Sequence, residues 1–141
     1  MIFMDMYAET ILEHYKHPHN YGELPGKDTE HREYNPLCGD SITIRLIIEN
    51  DTIKDVKFVG RGCAISQAAT SLLTDEVKGK TLGEIKKISR QDVIDLLGVE
   101  ISPARTKCAL LGIKTLKLAI YGYLIKKGEK ISEKEFTVKE E

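Results

Sequence analysis

A chain of 141 residues can build one hydrophobic core and is too short for two. Its 41% hydrophobic and 30% charged residues are ordinary for a globular protein. Twenty-one basic side chains against 22 acidic ones leave a net charge of −1, with no basic footprint for nucleic acid or an acidic membrane surface.

No run approaches the ~18 apolar residues of a bilayer span. The start of the chain carries Asp5 and no basic leader segment, so cytoplasmic residence is the expectation. Residues 7–16 read as a short helix with Tyr7, Ile11, Leu12 and Tyr15 on one side, stopped by Pro18. After a loop to Gly26, residues 29–34 suit an edge strand, followed by the turn Asn35-Pro36-Leu37-Cys38-Gly39-Asp40. Ile42, Ile44, Leu46 and Ile48 alternate with Ser41, Thr43 and Arg45, the period of a half-buried strand. Glu49-Asn50-Asp51 turns the chain into a second strand over 52–60, which predicts an antiparallel hairpin. Ile53 is out of step with Val56 and Phe58, so a bulge is expected near Lys54.

From Ala64 the period becomes helical. Ile65, Ala68, Ala69, Leu72 and Leu73 form one apolar stripe that ends at Gly79. Residues 81–87 read as a short helix, and Ser89-Arg90-Gln91-Asp92 as the capped start of another, closed by Gly98. Ser102-Pro103 opens a long helix to about Lys127, with Ala109, Ile113, Leu116, Ile120, Tyr123 and Leu124 as its stripe. Residues 1–127 are thus one domain, and 128–141 a charged tail expected to fray. Strands first and helices after predict an α+β fold: an antiparallel sheet of about three strands, covered by helices on one face, with a long C-terminal helix.

The three cysteines form no Cys-x-x-Cys pair, and their odd number argues against a disulfide framework. Each falls at a boundary between elements, where loops carry function on a rigid scaffold. Cys38 precedes the first strong strand, Cys63 lies between strand and helix, and Cys108 sits just inside the last helix. Gly39 and Gly62 beside two of them would let backbone approach a bound group, and nearby helix N-termini would favour thiolates. Thiolates suit zinc, copper(I) and iron–sulfur clusters. Asp40, two residues after Cys38, could add a replaceable carboxylate from the same side of an extended segment. Spacing alone leaves packing and metal or sulfur chemistry both open, since unpaired cysteine is also a common core residue.

His14, His17, His19 and His31 share no face and read as surface or partner-contact positions. Lys114, Lys117, Lys126 and Lys127 read as a solvated face, whereas Arg105 and Lys107 could favour the thiolate of Cys108.

Local wording adds a resemblance. Asn35-Pro36-Leu37-Cys38-Gly39-Asp40, Gly60-Arg61-Gly62-Cys63-Ala64-Ile65-Ser66 and Ala104-Arg105-Thr106-Lys107-Cys108 resemble the three cysteine motifs of the U-type scaffold family: IscU, SufU and the N-terminal domain of NifU. The stretch from Ile11-Leu12-Glu13-His14-Tyr15 to Asn20-Tyr21-Gly22 resembles its N-terminal signature, and Val77-Lys78-Gly79-Lys80 the end of its central helix.

The resemblance implies a non-enzymatic scaffold for iron–sulfur cluster assembly. Such a scaffold accepts sulfur from a cysteine desulfurase, binds iron and passes the cluster to apo acceptor proteins. It implies Cys38, Cys63, Cys108 and Asp40 as ligands of a transient cluster, [2Fe-2S] in type, with zinc as another occupant. Cys38, Cys63 and Cys108 would also be sulfur acceptors, and Asp40 the labile ligand that keeps the cluster transferable.

Lys107 stands where the IscU branch has His, and the Pro-Ala-Arg-x-Lys-Cys wording is closer to SufU. The alternative reading is therefore a zinc-dependent sulfur-transfer protein, with sulfurtransferase activity on the same ligand set. The chain looks too short, however, for the insertion that SufU proteins carry. Ile101-Ser102-Pro103-Ala104-Arg105 departs from the Leu-Pro-Pro-Val-Lys motif of IscU, so an Hsp70-type chaperone partner is not implied.

Overall fold

Alternation and turn chemistry build the sheet. The structure, a computed structural model, describes residues 2–36 and 39–138, with side chains from residue 9 onward. Strands β1 (Thr29–Asn35), β2 (Asp40–Glu49) and β3 (Thr52–Arg61) form an antiparallel sheet in the order β1-β2-β3. Asn50 and Asp51 take left-handed φ values of 52° and 57°, which their short polar side chains tolerate, and close the β2–β3 hairpin with Glu49 opposite Thr52. The register shifts where Ile47 faces Asp55 and Ile48 faces Ile53, leaving Lys54 as the extra residue of the expected bulge. The bulge returns Ile53 to the core face with Val56 and Phe58, and all three are fully buried.

Among the described residues five helices follow the sheet or precede it: α1 (Ile2–Lys16), α2 (Ala64–Val77), α3 (Leu82–Lys86), α4 (Arg90–Leu97) and α5 (Pro103–Lys126). The α+β expectation holds. Helix α1 begins at Ile2, earlier than the sequence reading placed it. Capping boxes at Thr81/Glu84 and Ser89/Asp92 start α3 and α4, and Gly98 ends α4 with φ 73°. Ser102 begins α5 as expected, but its side chain makes no cap bond; its carbonyl instead accepts from the Thr106 hydroxyl at 3.2 Å.

Helices α2 and α5 cross in the core, and α5 also packs on β1 and β2. A methyl group on Gly112 would lie 2.3 Å from Thr70 Oγ1, so glycine sets how closely the two helices approach. Helix α2 is buried beyond its apolar stripe. Ser66, Thr70 and Thr74 are at most 1% exposed, and Thr70 and Thr74 bond backbone carbonyls of their own helix at 2.8 and 2.7 Å.

Three surface assignments are overturned. Lys117 is 2% exposed, and its ammonium donates to the carbonyls of Lys86 and Ile88 at 3.1 and 2.6 Å, satisfying the C-terminal end of α3. His14 is buried against α2, described below. The tail expected to fray from Gly128 forms a 3-10 turn, Glu133–Phe136, whose Phe136 is 2% exposed beside Tyr121 and under the Lys86 ammonium. One buried phenyl ring contributes about 2 kcal/mol, enough to hold a short segment.

Helix α5 is long and apolar enough to cross a bilayer, with a mean hydropathy of 1.5 over its best window, contrary to the reading that no such run exists. Two-thirds of that window is buried within the protein (67%), so its apolarity is that of a core helix.

Candidate metal centre

The core face of β2 runs Ile48, Leu46, Ile44, Ile42 and then Asp40, at the end of the sheet. Alternation thus aims the Asp40 carboxylate toward the helices, where it is 1% exposed. Cys63 is the N-cap residue of α2, directly after β3, and its thiol caps nothing. Its backbone N–H donates to Asp40 Oδ1 at 2.9 Å, and its thiol lies 3.6 Å from Asp40 Oδ2. Cys108, in the second turn of α5, is 2% exposed.

One ligand atom from each of Asp40, Cys63 and Cys108 lies within 4.8 Å of the other two. A tetrahedral ion with sulfur at about 2.3 Å and oxygen at about 2.1 Å would hold those two donors about 3.6 Å apart. The Cys63–Asp40 separation already matches that edge. Two soft thiol donors with one carboxylate oxygen suit zinc or iron–sulfur chemistry and not a hard-cation site built from oxygens alone.

Gly62 makes this arrangement possible. Its φ is 140°, and a β-carbon there would sit 2.0 Å from Asp40 Oδ1. The close approach seen here is to the carboxylate of Asp40. Gly39, with φ 71°, serves its turn, and a β-carbon there would meet nothing within 4 Å among the described residues.

Of the remaining sequence candidates, Cys38 lies outside the described residues. Lys107 is exposed in α5.

Residues 6–130 match the sequence model of the NifU-like N-terminal domain. The chain belongs to that family. This NifU-like domain is 38% identical over 124 residues to the iron–sulfur cluster assembly scaffold protein IscU of Aquifex aeolicus, covering 86% of this chain and 78% of that protein. It is 35% identical over 132 residues to the zinc-dependent sulfurtransferase SufU of Bacillus subtilis, covering 82% and 89% of the two chains. The crystal structure of the SUF-system protein FiSufU from Fervidobacterium islandicum superposes with a TM-score of 0.72 at 32% identity, over 82% of this chain and 97% of that one.

The histidines supply what the sequence reading missed. His14 Nδ1 lies 2.6 Å from Ser71 Oγ, and that oxygen accepts the His19 backbone N–H at 2.8 Å. In the neutral ring Ser71 donates to an unprotonated Nδ1 or accepts from an Nδ1–H, according to the tautomer. His19 in turn contacts Asp75 at 2.5 Å, with its ring centroid 4.4 Å from that of His14. Burial, then the neighbouring His19, push the His14 pKa down, partly opposed by Asp75 and Glu13. The network fastens α1 and the loop after it to α2. The signal was present in the sequence: His14 stands three residues after Ile11, on the same helical side.

Proposed function

We propose that this NifU-like domain is a scaffold for iron–sulfur cluster assembly. It accepts sulfur from a cysteine desulfurase, binds iron, and releases the finished cluster to apo acceptor proteins in the cytoplasm. The cluster is cargo, and the protein has no turnover chemistry of its own.

The observation that carries the reading is the Asp40–Cys63–Cys108 donor set, whose atoms lie within 4.8 Å at one end of the sandwich. In this reading Cys38 completes three thiolates, and Asp40 is the replaceable fourth ligand of a [2Fe-2S] cluster. Three strong donors and one weaker oxygen retain a cluster until an acceptor thiolate displaces the carboxylate. Cys108 accepts sulfur within the site, and Lys107 stands beside it in sequence as a cation that favours its thiolate. Support comes also from the similarity to the Aquifex aeolicus scaffold protein.

A second reading, zinc-dependent sulfur transfer on the same ligands, is favoured by Lys107 and by the similarity to the Bacillus subtilis sulfurtransferase. Anaerobic reconstitution with iron and sulfide, followed by visible and Mössbauer spectra beside a zinc assay, separates the two. Stoichiometric cluster that transfers to an apo-ferredoxin supports the scaffold. Tight zinc with sulfur uptake and no cluster supports the relay.

A further inference from the structure

Cys63 opens α2 in an extended conformation (φ −72°, ψ 163°), and its side chain makes no cap bond, unlike those of Thr81 and Ser89 at the starts of α3 and α4. A thiol turned back onto the helix would be lost as a ligand. The residue is held instead through its two peptide groups. Its N–H donates to Asp40 Oδ1 at 2.9 Å, and its carbonyl accepts from the Ser66 hydroxyl at 3.1 Å and from the Gln67 N–H at 3.2 Å. Ser66 is fully buried and Gln67 is 6% exposed, and the Gln67 carboxamide nitrogen donates to Ser66 Oγ at 3.2 Å. A hydroxyl has one proton to give, so an amide N–H on its oxygen leaves that proton for the Cys63 carbonyl. Gly60 makes room for the amide: a β-carbon there would lie 2.9 Å from Gln67 Oε1, just as one on Gly62 would strike Asp40. The two glycines before Cys63 thus clear space for the polar side chains on either side of it.

We propose that Ser66 and Gln67 are positioning residues of the metal centre, a hydrogen-bonded relay that anchors the Cys63 backbone and so holds its thiol beside Asp40 and Cys108 ahead of metal binding. The proposal rests on Asp40, Cys63 and Cys108 as metal ligands, which the scaffold and the zinc-relay readings share. With both peptide groups of Cys63 fixed, rotation about χ1 is the freedom left to its Sγ. The three donor atoms then stay within 4.8 Å of one another, and a metal loses less entropy in gathering them. Hydrogen-bond partners of ligand residues commonly govern metal affinity in this way. Thr70 and Thr74 make the same kind of bond further along α2, to the carbonyls of Ser66 and Ser71, neither of which is a ligand. They supply the comparison, a hydroxyl that serves its helix alone. Gln67 acts through Ser66, and Ser66 through the Cys63 carbonyl, so Ser66 carries the larger effect.

The test compares wild type with Ser66→Ala, Gln67→Met and Thr74→Val in the full chain. It measures zinc affinity by competition with a chelator, the visible d–d bands of the cobalt(II) form, and denaturant unfolding of the apo protein. Zinc affinity should fall about tenfold in Ser66→Ala and about threefold in Gln67→Met, with the cobalt bands shifted in both. Thr74→Val should lose a comparable amount of apo stability yet keep wild-type affinity and bands. Gln67→Met keeps the length of the side chain in an apolar form, so it reports on the relay even where Ser66→Ala does not fold. Unchanged affinity and bands in Ser66→Ala, or in Gln67→Met should Ser66→Ala not fold, overturn the relay, as does an equal loss of affinity in Thr74→Val. A wild-type protein that binds neither zinc nor cobalt loses the ligand set itself. One that binds both, with the variants unchanged, loses only the relay.

Discussion

Cys63 and Asp40 are joined twice, through the Cys63 backbone N–H to Oδ1 at 2.9 Å and through the thiol to Oδ2 at 3.6 Å. The same carboxylate that would ligate a metal therefore also fixes the residue that starts α2. One link belongs to the fold and the other to the site.

Asp40→Ala should make a reconstituted cluster longer-lived and slower to leave, because it removes the weak oxygen ligand and a route for acceptor attack. It should also lower the stability of the apo protein by about 1–2 kcal/mol, since the Cys63 N–H loses its partner. Cluster half-life, transfer to an apo-ferredoxin and denaturant unfolding of the apo form read the two effects separately. Equal or faster cluster loss in the variant would remove Asp40 from the labile-ligand role.

Zinc should bind tightly when iron and sulfide are absent, and more weakly as pH falls. Thiols must release protons to coordinate, so affinity should drop about tenfold per pH unit for each proton released. Isothermal titrations at two pH values in buffers of different protonation enthalpy measure the count. An affinity independent of pH would mean that the cysteines are not the ligands.

How much of this was legible follows from where each signal resides. The β2 alternation, the misfit at Ile53 and the caps at Ser89 and Gly98 are local rules, and the elements follow them. Asp40 was readable for the same reason, as one further step of a period-two row. Lys117 was not, because a buried ammonium on α5 depends on the free carbonyls of α3, thirty residues earlier in the chain. Ser66, Thr70 and Thr74 look solvated by type, and are buried because their helix lies between α1 and α5. Phe136 stands among charges, and nothing local announces the surface on which it docks.

His14 gives the fold a pH dependence. Its folded pKa lies below the unfolded value near 6.5, so the unfolded chain binds more protons and stability falls as pH drops from about 6.5 downward. Above that value the contribution is fully present. Unfolding midpoints measured at several pH values should decline on acidification, and His14→Gln should flatten part of that decline while costing about 1–2 kcal/mol near pH 7.5. An identical pH profile in the variant would show that His14 is not the responsible group.

Lys117→Met should lower stability by about 2 kcal/mol, since two carbonyls at the end of α3 lose a charged donor in a buried setting. Hydrogen exchange should localise the loss to α3 and the docked Phe136 segment. Unchanged protection there would indicate that water replaces the ammonium at little cost.

Lys107 tests whether the cation preceding Cys108 shapes the metal centre or the sulfur chemistry. Its side chain is exposed and, protonated, has no lone pair to offer a metal, so Lys107→Ala should leave zinc affinity within about twofold of wild type. Solvent screening limits what an exposed ammonium can do to a neighbouring thiolate, and the effect on sulfur uptake should be correspondingly modest, about three- to tenfold. The variant should load Cys63 at the normal rate and slow only the appearance of sulfur on Cys108. Timed quenching with peptide mass analysis resolves the two steps. Lost zinc binding with normal sulfur passage would reverse the assignment, making Lys107 a determinant of site shape rather than of thiolate reactivity.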